Sequence, residues 1–209
     1  MKEERLVHRL EAFSDIVMGF VLAEMAITLA VPKSIPTPSA LLSNIGAFGL
    51  TFFLISVLWY LHNRLFAVYF VPNPLMLVLN FLMLAALIAM AYVFGVTTHF
   101  IGEHGASALM GIWFDCFGVV YGVLGVMYGI GVYLRRPDLS PQEFAAGVVR
   151  AVTAILGSLL LATVGYEFAR VQHISQLHGT MQLILVFALL SLFLRFFLTR
   201  WLATHHGGQ

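Results

Sequence analysis

Charge is scarce in this chain. It has 11 Lys and Arg and 10 Asp and Glu among 209 residues, or 10% charged, where a soluble domain carries about a quarter. Cysteine is nearly absent: the single Cys116 excludes an internal disulfide and any cysteine-built metal cluster. Set inside an apolar stretch, it reads as a small packing residue. Also missing are a glycine-rich phosphate loop, a His-Glu-x-x-His pair and a workable Ser-His-Asp order. No segment repeats Arg or Lys every third residue, which argues against a voltage sensor. The chain is therefore not expected to be an enzyme, and no cofactor, metal or nucleic-acid partner is expected. The first apolar run is too long for a cleavable signal peptide and lacks a small-residue cleavage site, so it should be retained as a helix.

What is abundant is apolar. Hydrophobic residues make up 60% of the chain, with 18 Phe and 9 Met, and mean hydropathy is +0.93. Six runs are long enough for a hydrocarbon core of about 30 Å, at approximately 13–31, 45–64, 75–97, 108–134, 144–168 and 181–202. They lack the ten-residue alternation of membrane β-strands. The expectation is an all-α membrane protein, one six-helix transmembrane domain over 1–209. Ser140-Pro141-Gln142-Glu143 reads as a helix start. Basic residues orient it: Lys2, Arg5, Arg9, Arg64, Arg135, Arg136, Arg150, Arg195 and Arg200 on one side, only Lys33 and Arg170 on the other. The N- and C-termini should both be cytoplasmic.

Two polar constellations interrupt the apolar pattern near the expected cytoplasmic edge. Arg9, Phe13, Ser14 and Asp15 stand at the mouth of the first run, and Trp59, His62, Asn63 and Arg64 close the second. A carboxylate at that depth seeks a His, Asn or Arg partner, because a buried unpaired charge is costly. The alternative is ordinary interfacial anchoring, with Trp59 in the aromatic belt.

Arg9-Leu-Glu-Ala-Phe13-Ser14-Asp15 resembles the Arg-x-x-x-Phe-Ser-Asp signature of the transmembrane protein 175 family of potassium channels. That resemblance extends to Trp59, to His62 three residues on, to Arg64-Leu65-Phe66, and to Leu79-Asn80 in the third run. It covers roughly residues 5 to 95. It implies a homotetramer in which the first helix of each subunit lines the pore, passing potassium or other monovalent cations passively. It implies selectivity by rings of apolar side chains, and a structural network of Arg9, Phe13, Ser14, Asp15, Trp59, His62, Asn63, Arg64 and Asn80. The setting would be a bilayer, as a bacterial plasma-membrane protein. Carried over by spacing from Asp15, the pore positions are Phe20, Glu24 and Ile27, with Ala23 beside them on the same face.

Glu24 departs from the family's apolar pattern. It lies nine residues beyond Asp15, about 13 Å along a helix. A carboxylate there is either a cation-attracting ring in the pore or a protonated group hydrogen-bonded to a neighbouring helix. It keeps two rival readings open: a proton-linked transporter using Glu24, and a non-conducting structural membrane protein of the same fold. Gly118, Gly122, Gly125 and Gly129 share one face and suit close helix packing. Glu167 and Arg170, at i and i+3, are expected to pair. His99, His104, His173 and His178 fall on the expected outer side, but each pair is spaced five apart, which does not put two ligands on one helical face.

Overall fold

The computed structural model describes residues 2–28, 37–100 and 105–170. They form five α-helices: α1 (Lys2–Thr28), α2 (Pro38–Val68), α3 (Pro74–His99), α4 (Ala106–Leu134) and α5 (Pro141–Arg170), with a 3-10 turn at Arg136–Asp138. The expected sixth segment, 181–202, and the end of the first, 29–31, lie outside the described residues. Among the described residues four helices are long and apolar enough to cross a membrane, over Thr51–Val68, Pro74–His99, Ala106–Leu134 and Pro141–Arg170. α1 is not among them, because even its least charged 18-residue stretch, 11–28, carries Glu11, Asp15 and Glu24. It starts eleven residues before the expected 13. A helix continues into the charged stretch because nothing there breaks it: no Pro or Gly precedes Gly19.

Local chemistry sets several boundaries. Asn73 caps α3, its side chain accepting the Met76 N–H at 2.8 Å, and Pro74 takes the first turn, where its missing N–H costs nothing. At the start of α5, Ser140 and Glu143 form a capping box. The Glu143 carboxylate accepts from the Ser140 N–H at 3.0 Å, and Ser140 Oγ accepts the Glu143 N–H at 3.3 Å.

α4 and α5 form the most extensive pairing, α3 packs on α4, and α1 packs on both α2 and α3. The α4–α5 seam is close because it is built from small residues. A Cβ on Gly111 would meet the Gly165 carbonyl oxygen at 2.7 Å, and one on Gly125 would meet the Ala151 carbonyl at 3.0 Å. Gly118 and Gly122 lie against Ser158 in the same seam, whereas Gly129 has nothing within 4 Å of its missing Cβ. Gly131 lets α4 approach the backbone of Tyr69. The Tyr69 hydroxyl then donates to the Glu143 carbonyl at 2.7 Å, and Arg135 Nη1 donates to the Val68 carbonyl at 2.6 Å. These bonds tie the end of α2 to the α4–α5 turn. Glu167 and Arg170 are not paired; the Arg170 guanidinium lies over the Tyr166 ring at 5.0 Å, where cation–π attraction takes the place of the ion pair.

Candidate functional site

The base of α1 is held by a buried polar chain across three helices. Ser14, His62 and Asn80 are each 0% exposed. Ser14 Oγ donates to the Leu10 carbonyl at 2.8 Å and accepts Asn80 Nδ2 at 3.3 Å. That leaves Asn80 Oδ1 as an acceptor, so the proton in its 2.9 Å bond to His62 resides on Nε2. His62 Nδ1 is buried without a hydrogen-bond partner, and the ring lies 4.6 Å from that of Phe66.

Asp15 turns the other way. Its Oδ1 accepts Trp59 Nε1 at 2.8 Å, so two adjacent residues of α1 reach two different helices. Phe13 meets Phe81 of α3 edge-on at 6.1 Å. Asn63 reaches Glu11 through a long 3.5 Å contact. Arg9 and Arg64 are exposed, and neither forms an ion pair with a described carboxylate. Ser14, Asp15, Trp59, His62 and Asn80 are thus brought together, while Arg9 and Arg64 stand outside that cluster. Glu11 and Phe81 escaped sequence reasoning. Phe81 follows Asn80 directly, so the other side of α3 was the available signal.

Beyond this base, α1 is two-faced. Met18, Val21 and Met25 are buried against the bundle. Ile16, Phe20 and Ile27 are 70%, 64% and 75% exposed, with Ala23 exposed beside them. Glu24 sits at the margin of this open face, half-buried. It borders a groove of about 320 Å³ between α1 and α3, lined also by Tyr92, Gly95 and His99. An adjoining space of about 240 Å³ carries Phe20, Glu24 and Tyr92. Tyr92 could not be found from spacing on α1, because it belongs to a helix whose phase only packing fixes.

Chemically, the open face is an apolar wall with one carboxylate at its edge. Carboxylate, phenol and imidazole in one groove can hold a cation or relay a proton. Among the described residues no group of three His, Cys, Asp or Glu is placed to hold a metal.

Comparison with known proteins bears on the same stretch of chain. Residues 9–90 match the family model described as endosomal/lysosomal potassium channel TMEM175. The chain is 26% identical over 143 residues, 65% of its length, to a Gallus gallus protein named endosomal/lysosomal proton channel TMEM175. The alignment spans 28% of that relative's length. No solved structure matches. The matched span begins at Arg9 and takes in Ser14, Asp15, Trp59, His62 and Asn80; together with the apolar helices, these findings describe an integral membrane protein similar to the TMEM175 family over that span.

Proposed function

We propose that the chain is one subunit of a passive cation channel, permeable to potassium, in which α1 lines the pore. The observation that carries this reading is the open face of α1: Ile16, Phe20, Ala23 and Ile27 lack cover, although the opposite face is fully packed. Four such faces around a symmetry axis would make an apolar constriction at Phe20 or Ile27, where side-chain size and polarity govern wetting. The assembly is a homotetramer of six-helix domains with both termini cytoplasmic, as the distribution of arginine favours. Its setting is a bacterial plasma membrane. Purified protein in liposomes, with potassium, sodium and proton flux measured separately, tests the proposal. Potassium flux is expected; absence of any flux would leave the non-conducting reading.

A second reading has its own support. Glu24, Tyr92 and His99 line one groove, and the Gallus gallus relative is named a proton channel. Under that reading protons pass by way of Glu24. Glu24→Gln would then abolish proton flux and leave potassium flux standing, an outcome a purely apolar pore does not give.

A further inference from the structure

The end of the bundle where α2 meets the α4–α5 turn gathers four guanidiniums from three places in the sequence. Arg64 comes from the last turns of α2, Arg135 and Arg136 from the turn after α4, and Arg150 from α5. Two are fixed by hydrogen bonds: Arg135 Nη1 to the Val68 carbonyl at 2.6 Å, and Arg150 Nη1 to the Tyr69 hydroxyl at 3.3 Å. Arg150 also lies 6.0 Å from the Tyr128 ring centroid, and Arg136 lies 5.6 Å from that of Phe144. They share one neighbourhood, because Arg64 and Arg150 both act electrostatically on Tyr69, and Arg64 and Arg135 both act on Glu143.

Their charge is only partly offset locally, by two carboxylates against four guanidiniums. The two nearest acids in sequence are Asp138 and Glu143. The Glu143 carboxylate is occupied by Ser140, accepting both its N–H and its hydroxyl at 3.0 and 2.7 Å. None of the four arginines forms an ion pair with a described carboxylate. Unpaired guanidiniums at a partly buried site favour a planar, multiply charged oxygen acceptor such as phosphate, which they can grip bidentately.

The surroundings say which phosphate. Three membrane-length helices begin or end here, which puts the cluster at headgroup level. An apolar strip leads away along α4: Tyr133, Val126 and Val119, spaced seven apart, are 79%, 42% and 46% exposed. A free phosphate ion uses none of that strip, whereas an acyl chain lies along it. We propose that Arg64, Arg135, Arg136 and Arg150 form a binding site for the phosphate of an anionic phospholipid, its acyl chain running along Tyr133 and Val126. Basic pockets between membrane helices hold such headgroups with a strength that scales with the number of cations.

The test uses the full chain in a neutral maltoside detergent, titrated with phosphatidylglycerol, phosphatidylcholine or inorganic phosphate. Lipid retained per chain is read by native mass spectrometry, alongside the melting temperature. Phosphatidylglycerol is expected to be retained in preference to phosphatidylcholine and to raise the melting temperature. The doubly substituted Arg64→Gln, Arg136→Gln protein should bind it about thirtyfold more weakly, as the loss of two headgroup-level cations implies. Among the described residues neither side chain makes a hydrogen bond, and the Arg64→Lys, Arg136→Lys protein, which keeps the charge, should recover most of the preference. A matched Arg5→Gln, Arg9→Gln protein loses the same charge at the same end and should bind normally. Equal losses in the two Gln proteins would reduce the effect to diffuse charge and overturn the site. Equal retention of phosphatidylcholine, or inorganic phosphate displacing no lipid yet stabilising the protein as strongly, would overturn the phospholipid assignment.

Discussion

Trp59 and Asp15, 44 residues apart in sequence, are joined by a 2.8 Å hydrogen bond from the indole N–H to a carboxylate oxygen. The bond links α1 to α2 at a partly exposed level of the bundle. Trp59→Phe keeps the ring and removes the donor. A hydrogen bond to a charged group contributes about 1.5–3 kcal/mol when buried and less where exposed, so a loss of about 1 kcal/mol is expected. Thermal unfolding in detergent measures it, and Asp15→Asn combined with Trp59→Phe should cost less than the two single changes summed.

The Ser14–Asn80–His62 chain should be more costly to break, because all three residues are fully buried. Asn80→Ala strands the His62 donor and leaves a space beside Ser14. An unsatisfied buried group costs about 1–3 kcal/mol, and the His62 donor becomes one, while Ser14 keeps its bond to the Leu10 carbonyl. Asn80→Ala should therefore lower the melting temperature more than Trp59→Phe does. The reverse order would show that α1 is held chiefly from the α2 side.

Two glycines of α4 give a matched pair. Gly131→Ala would drive a Cβ to 2.5 Å from the Tyr69 carbonyl oxygen, whereas Gly129→Ala meets nothing within 4 Å. Overpacking of this kind costs about 1–3 kcal/mol, while alanine gains up to about 1 kcal/mol over glycine in an unobstructed helix. Gly131→Ala should destabilise and Gly129→Ala should be neutral or stabilising, as scored by unfolding in the same detergent.

If the open face of α1 lines the pore as proposed, Ile27→Asn should raise ion flux in liposomes and lower discrimination between potassium and sodium, since a polar ring wets more readily. The control on the opposite face has to be gentle, because Met25 is 0% exposed. Met25→Leu conserves volume and is expected to leave flux unchanged. If Met25→Leu alters flux and Ile27→Asn does not, α1 presents the other face to the pore.

The expected segments 75–97, 108–134 and 144–168 fall within two or three residues at each end of α3 (Pro74–His99), α4 (Ala106–Leu134) and α5 (Pro141–Arg170). Proline, asparagine and the Ser140–Glu143 pair mark those limits chemically. The start of α1 was less legible, because hydropathy locates apolar length, and a helix runs on through charged residues without changing its backbone. Residues of the polar network could be named because charged and amide groups are rare in apolar runs. Which of them touch could not: Ser14 and Asp15 are adjacent in sequence, yet a step of about 100° around the helix sends one to Asn80 and the other to Trp59. The same reason separates Glu24 from Phe20 and Ile27. Four-residue and three-residue spacings put all three on one broad face, but only packing shows that its edge turns toward Tyr92.

Placing Ser14 and Asp15 on different neighbours has a mechanical consequence. Two directional bonds set well apart around one helix fix its rotation as well as its position, so the base of α1 behaves as a clamped pivot. Farther along, Val21 and Met25 are held by close packing of apolar side chains, which resists separation but tolerates sliding. Ile27 lies twelve residues past Asp15, a lever arm of about 18 Å at 1.5 Å per residue. A tilt of about 10° at the clamp therefore displaces Ile27 by about 3 Å while leaving Phe13 and Ile16 nearly still, as the geometry of a rigid helix requires. Motion in α1 is amplified toward Ile27, and a small rearrangement at the hydrogen-bonded base is read out at the far end of the helix.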